Sequence, residues 1–228
     1  MKKGLSNNQL KLIAMLTMTA DHVGLMLLPH IPVLRLVGRL AFPVYAYMIA
    51  EGCRHTGSMP RYLGGIAILA AVCQGVYFFA MGSVYQSIMV TFSLSILLIW
   101  LLQTALQKRT VLNWLAAAAG IAAAWFVAEI LPGWLPDTDF GVDYGFLGIL
   151  LPVAVWLGRS RGEKLLCAAV VLALMAVGGW SGQWFALLAL PLLAMYNGQR
   201  GRLRLKWLFY VYYPAHLVML QCLASIVK

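Results

Sequence analysis

The sequence has 228 residues, of which 62% are hydrophobic and only 11% charged, and it carries a formal net charge of +10. A soluble domain is about half apolar and about a quarter charged, so this composition excludes a soluble globular protein. It defines an all-α polytopic membrane protein with little mass outside the bilayer.

Apolar runs of about 20 residues place spans near 10–28, 35–53, 62–82, 87–106, 112–131, 144–158, 164–179, 183–197 and 206–226. The expectation is a helical bundle of about nine transmembrane helices, eight to ten allowing for the short runs: 15 residues reach only about 22 Å against a core of about 30 Å. The first run has no small-residue cleavage site and is kept as a mature helix. Basic residues fall in every second connection: Lys2 and Lys3, then Arg54 and Arg61, Lys108 and Arg109, Arg159, Arg161 and Lys164, and Arg200, Arg202 and Arg204. The connection 132–143 instead carries Asp137, Asp139 and Asp143. This alternation puts the N-terminus in the cytoplasm and, with nine spans, the C-terminus outside. The charge is therefore topological, and nucleic acid is excluded as a partner. Loops too short to fold alone make 1–228 a single domain. Cys53, Cys73, Cys167 and Cys222 lie scattered without paired spacing, as free thiols and not as a disulfide or metal framework.

Ionisable groups inside spans are the functional candidates, because hydrocarbon disfavours them. In "KLIAMLTMTADHVGLMLL", Lys11 and His22 are eleven residues apart, which is three turns plus about 20°, so they share a helix face about 16 Å apart. Asp21, beside His22, can fix the imidazole tautomer as a general base requires, or both can simply hydrogen-bond a neighbouring helix. In "LRLVGRLAFPVYAYMIAEGCRHTG", Arg35 and Arg39 share a face and can clamp an anion or pair with Asp21. Arg35 also reads as an interfacial residue reaching for water. Pro43 is expected to loosen the helix. Glu51 can pair with Arg54 or Arg61. Further along, "DTDFGVDYGFLG" presents Asp143 and Tyr144 on the outer side, where Asp143 can hold a cationic acceptor or orient His22. "YNGQRGRLRLK" offers Arg200 and its neighbours to a phosphate-bearing ligand. In "KWLFYVYYPAHLVML", Trp207 reads as an interfacial anchor, Pro214 as a kink, and Tyr213 and His216 as groups that either support a site or serve structure.

A cation at the inner mouth and a base deeper on the same stripe suit a long anionic substrate entering from the cytoplasm. Acyl-coenzyme A fits: phosphates at Lys11, with Arg39, Arg35, Arg61 and Arg200 as further contacts, and the thioester delivered to His22. An amine or hydroxyl acceptor would be deprotonated by His22, with Arg39 or a tyrosine stabilising the oxyanion. Glu51, Asp143, Tyr144, Tyr213 and His216 would stand behind the site or on its acceptor side. The rival from another class is a multi-pass transporter of a small anionic solute, which calls for paired broken helices in two related halves; the halves show no such similarity. A scaffold leaves the Asp21–His22 pair without a purpose.

The segments "LKLIAMLTMTADHVG", "GRLAFPVYAYMIAEGCRHT", "DYGFLGILL", "YNGQRG" and "WLFYVYYPAHLVML" resemble, in order and over nearly the whole chain, the successive signatures of the TraX family. That family is named for a conjugation protein implicated in N-terminal acetylation of pilin. It is similar in turn to the broader membrane acyltransferase-three superfamily, whose first-helix pattern of a basic residue, ten spacers and a histidine is matched by Lys11 and His22. The resemblance implies a membrane-bound O- or N-acetyltransferase of the bacterial cytoplasmic membrane. Acetyl-CoA is then the co-substrate, with no permanently bound cofactor and no metal, and His22 is the central catalytic residue with Lys11 on the donor side. The acceptor is a membrane-associated or extracytoplasmic protein N-terminus, glycan or lipid. Lysine in place of the superfamily's usual arginine keeps the charge and loses the bidentate phosphate geometry.

Overall fold

A computed structural model describes residues 4–179, 181–201 and 205–227. Lys2, Lys3, Arg202 and Arg204, which belong to the expected charge alternation, lie outside the described residues, as do the side chains of Lys206 and Trp207. Among the described residues the chain is helical between its connections and has no strand, only two isolated bridges, Leu5 with Tyr196 and Gln86 with Val142.

The helices in chain order are α1 (Asn7–Met26), α2 (Pro32–Gly38), α3 (Ala41–His55), α4 (Met59–Met81), α5 (Ile88–Lys108) and α6 (Val111–Trp125). α6 runs through a π-helical turn, Phe126–Ile130, into the short α7 (Leu131–Trp134). There follow α8 (Gly145–Leu157), α9 (Arg161–Gly178), a 3-10 segment Ser181–Leu188 continued by α10 (Ala189–Ala194), and α11 (Lys206–Val227). Among the described residues, five stretches are long and apolar enough to cross a membrane: Pro32–His55, Met59–Met81, Ile88–Lys108, Val111–Trp134 and Leu208–Ile226. Gly145–Leu157 and Ser181–Ala194 are shorter apolar helices.

Local chemistry sets the helix ends. Ser6 caps α1 in a capping box, accepting from Gln9 N–H at 3.4 Å while Gln9 Oε1 accepts from Ser6 N–H at 2.9 Å. Thr110 and Ser160 cap α6 and α9 in the same sense, through Asn113 and Glu163 N–H. Gly82, at φ 64°, closes α4 in the left-handed conformation a glycine adopts without strain. The expected single helix 35–53 is interrupted: Arg39 and Leu40 form a turn between α2 and α3. Pro43 consequently sits in the first turn of α3, where its missing N–H would have no helical partner anyway, so it does not break the helix. Pro214 lies inside α11.

By its internal contacts the chain divides into two compact units, Met1–Met48 with Gly158–Lys228, and Ile49–Leu157. The first unit is thus assembled from both ends of the chain. Leu10, Ala14, Leu172, Leu193, Leu217 and Leu220 are among its most deeply buried residues. In the second unit α5 packs on α4, α6 and α8, with Phe92, Ile96, Ile99, Ile149, Leu151 and Val155 buried. Ser95 Oγ reaches the Ile149 carbonyl at 2.8 Å, tying α5 to α8. Large apolar side chains stay exposed on helix faces, as Leu166, Val170, Leu174 and Val177 do along α9. Their spacing of three and four residues makes one continuous apolar stripe, which water would disfavour and acyl chains would not. All four cysteines are free thiols.

Candidate functional site: a histidine pair beside an arginine–aspartate cluster

α1 contributes the polar residues around which the first unit's site is built, and it packs against both α2 and α11. Neighbouring residues on a helix diverge by about 100°, so Asp21 and His22 leave α1 in different directions. Asp21 faces α2. Its Oδ2 accepts from Arg35 Nη1 at 2.8 Å and its Oδ1 from Arg39 Nη2 at 2.7 Å. The two helices meet here because Gly38 has no side chain; a Cβ there would lie 2.3 Å from Asp21 Cβ. Arg39 also donates from Nη1 to Gln183 Oε1 at 3.5 Å, bringing the 3-10 segment into the cluster.

His22 faces α11. Its Nδ1 lies 2.9 Å from His216 Nε2, and His216 Nδ1 lies 3.0 Å from the Tyr212 carbonyl oxygen. A carbonyl oxygen only accepts, so His216 carries its proton on Nδ1 and, when neutral, offers Nε2 as an acceptor. His22 must then donate from Nδ1, which leaves Nε2 as the lone-pair nitrogen. His216 is only 2% exposed and is held between two rings: Tyr212 stacks on it at 5.2 Å between centroids with an 8° interplanar angle, and Tyr213 meets it edge-on at 5.4 Å. Tyr213 also meets His22 edge-on at 6.5 Å. The Tyr212 hydroxyl is fixed in turn by Thr19 Oγ1 at 2.5 Å.

Lys11 shares the α1 stripe with His22, its Nζ 5.5 Å above the Phe209 ring of α11. The "YNGQRG" segment is clasped to the start of this helix: Leu5 N–H donates to Met195 O at 2.8 Å, Asn7 N–H to Gln199 O at 2.8 Å and Asn8 N–H to Arg200 O at 3.3 Å. The clasp brings Arg200 close enough for its charge to act on Lys11. Among the described residues no carboxylate pairs with Lys11.

The remaining candidates belong to the second unit. Glu51 is buried on α3, with Oε2 4.0 Å from His55 Nδ1. Arg54 donates to the Trp156 carbonyl, and Arg61 is exposed at the start of α4. Asp143 accepts from the Tyr85 hydroxyl at 3.2 Å, and its backbone carbonyl accepts from Thr91 Oγ1 at 2.8 Å. Tyr144 and Gly145 both adopt positive φ, 61° and 59°, turning the chain into α8, where Glu129 Oε1 receives the Phe146 N–H at 2.8 Å.

Two sequence expectations are corrected by this geometry. Asp21 does not hydrogen-bond His22 but pairs with the arginines, the alternative the sequence also offered, and His216 takes the orienting place beside His22. Arg35 is not merely an interfacial side chain, being ion-paired with a side-chain exposure of 28%. Sequence reasoning missed Gln183, Thr19 and the stacking of Tyr212. Tyr212 alone carried a signal, four residues before His216 on the same helix face.

The fold and site define an all-helical protein with several helices able to cross a membrane and a polar cluster built around two histidines. It matches the TraX protein family over residues 6–224, and the chain belongs to that family. It is 26% identical, over a 238-residue alignment covering 93% of each chain, to the probable fimbrial assembly protein FimC, serogroup H1, of Dichelobacter nodosus. A 38-residue stretch is 45% identical to the uncharacterized protein RP591 of Rickettsia prowazekii (strain Madrid E), covering 17% of this chain and 15% of that protein. No solved structure matches the chain.

Proposed function

We propose that the protein is an integral-membrane acyltransferase that moves an acetyl group from cytoplasmic acetyl-CoA to an amine or hydroxyl acceptor at the membrane or its outer face. In this reading the chain crosses the bacterial cytoplasmic membrane about nine times with its N-terminus inside, and is a distant relation of the acyltransferase-three superfamily. The acceptor belongs to the extracytoplasmic proteins, glycans or lipids, with a pilin N-terminus one member of that set. Family membership and the similarity to a probable fimbrial assembly protein support the class.

The observation that carries the chemistry is the hydrogen-bond relay from His22 through His216 to the Tyr212 carbonyl, which leaves His22 Nε2 with its lone pair. A general base needs that arrangement: a ring locked in one tautomer, with the basic nitrogen facing the reactants. His22 Nε2 takes the proton from the acceptor N–H or O–H as that atom attacks the thioester carbon. When the tetrahedral intermediate collapses, the carbon–sulfur bond breaks and the departing thiolate takes the proton from the imidazolium. Lys11 and Arg200 meet the coenzyme phosphates at the far end of the stripe. The cation-π contact with Phe209 orients Lys11 but does not neutralise it. Arg35 and Arg39, expected among the donor contacts, are instead tied to Asp21, about 15 Å along α1 from Lys11.

The test is purified protein in detergent with acetyl-labelled acetyl-CoA and a panel of amines and alcohols. Label on an acceptor, reduced about 100-fold or more in a folded His22→Gln variant, supports the reading. Equal transfer by that variant overturns it.

A further inference from the structure

The Asp21 cluster holds two guanidinium groups against one carboxylate. The first unit's other acidic residue, Glu163, is engaged at the start of α9 by Ser160 Oγ and Arg159 N–H. The side chains of Asp21 and Arg39 are only 14% and 10% exposed, so one positive charge in excess sits in a poorly hydrated place. Arg35 uses Nη1 on Asp21, and among the described residues nothing engages its Nε or Nη2. Gln183, 7% exposed, turns its carbonyl oxygen toward Arg39 and leaves its Nε2 buried with no hydrogen-bond partner among the described residues. Exchanging the amide atoms would face N–H groups to the guanidinium, so this orientation is the correct one. A buried N–H donor with no described partner, beside two guanidiniums that share one carboxylate, marks a site short of one acceptor with one negative charge.

We propose that Arg35, Arg39 and Gln183 form a monoanion subsite that holds a singly charged group of the acetyl acceptor next to His22. The inference rests on the acetyl-transfer reading and names the acceptor's chemistry: a zwitterion carrying a carboxylate or a phosphodiester within a few bonds of its nucleophilic nitrogen or oxygen. A single excess charge matches a monoanion, whereas a phosphate dianion would overshoot it. The donor's phosphates are accounted for by Lys11 and Arg200 at the other end of α1. Both arginines are bound to Asp21, the residue before His22 on α1, so an anion held there lies one residue along the helix that carries the imidazole.

Equilibrium binding to the full-length protein, with no donor present, tests the subsite independently of turnover. Glycine against glycinamide reads the carboxylate source, and glycerophosphoethanolamine against ethanolamine reads the phosphodiester source. The member that carries the anionic group, in at least one pair, should bind about tenfold tighter or more. Gln183→Glu, which supplies the missing negative charge internally, should remove the difference. Gln183→Leu, which removes the orphaned donor, should weaken it while melting no lower than the parent; it carries the test if Gln183→Glu does not fold. Equal binding in both pairs, or a preference untouched by both variants, overturns the proposal. Preferential binding without acetyl transfer to any acceptor leaves the subsite standing and removes the acetyl-transfer reading. Transfer to both members of each pair with equal KM does the reverse.

Discussion

Replacing Asp21 by Asn separates an electrostatic role from a catalytic one. The carboxylate accepts charge-assisted bonds at 2.8 and 2.7 Å from two guanidiniums whose side chains are 28% and 10% exposed. Removing one partner of a buried pair costs about 3–5 kcal/mol because the other charge is left uncompensated. Water reaching Arg35 screens its share, and the Asn oxygen keeps one weakened hydrogen bond, so about 3 kcal/mol is the reasonable figure. For a chain of this size that corresponds to a melting point about 6–12 °C lower, measurable by thermal unfolding of the purified protein in detergent. Adding Arg39→Gln should recover part of the loss, with a coupling energy of about 2 kcal/mol in the double-mutant cycle. An Asn variant that melts within about 1 °C of the parent yet loses His22-dependent turnover would refute this account, because Asp21 would then be acting on the imidazole and not on the arginines.

Other perturbations bear on separate parts of the structure. His216→Phe keeps a ring between Tyr212 and Tyr213 but removes the His216 Nε2 acceptor from His22 Nδ1; kcat should fall about tenfold or more with KM for acetyl-CoA unchanged, and His216→Gln, which restores an acceptor, should recover part of it. Gly38→Ala sets a methyl 2.3 Å from Asp21 Cβ and should destabilise by about 1–3 kcal/mol in the same thermal assay. Outside the membrane-spanning segments, Asp139 accepts from Ser83 Oγ and Val84 N–H, which hold its carboxyl below the usual range. Its folded-state acidity is increased, so the tether is complete above the ordinary carboxylate pKa and is lost as pH falls through the lowered value. Amide exchange at Val84 should accordingly quicken only in that acid window, and Asp139→Asn should abolish the dependence.

The sequence reveals the helices more fully than the site, and the reason is range. Apolar runs report burial in lipid or core directly, so nine helical stretches were legible with ends a few residues from those observed, the short runs 144–158 and 183–197 among them. The break at Arg39–Leu40 was not, although Gly38 directly precedes it, and neither was the π-helical turn at Phe126–Ile130, which holds no glycine or proline. Periodicity placed Lys11 and His22 on one face of α1, and α11 meets that face through Phe209 and His216. For Asp21, adjacency favoured His22 while the shared face of Arg35 and Arg39 offered the pairing that is observed; consecutive helical residues point apart, and the partners lie 14 and 18 positions away, on α2 and in the turn after it. His216 is 194 positions from His22. No local pattern encodes such a pairing, and a lone glutamine such as Gln183 gives no signal until its neighbours are in place.

The most direct measurement reconstitutes the protein in vesicles with acetyl-labelled acetyl-CoA on one side and an amine or alcohol acceptor on the other. Chemistry at His22 predicts label covalently joined to the acceptor, and almost none when position 22 is glutamine. Intact labelled solute accumulating across the bilayer, with no modified acceptor and no change on replacing His22, would contradict it and point to a carrier.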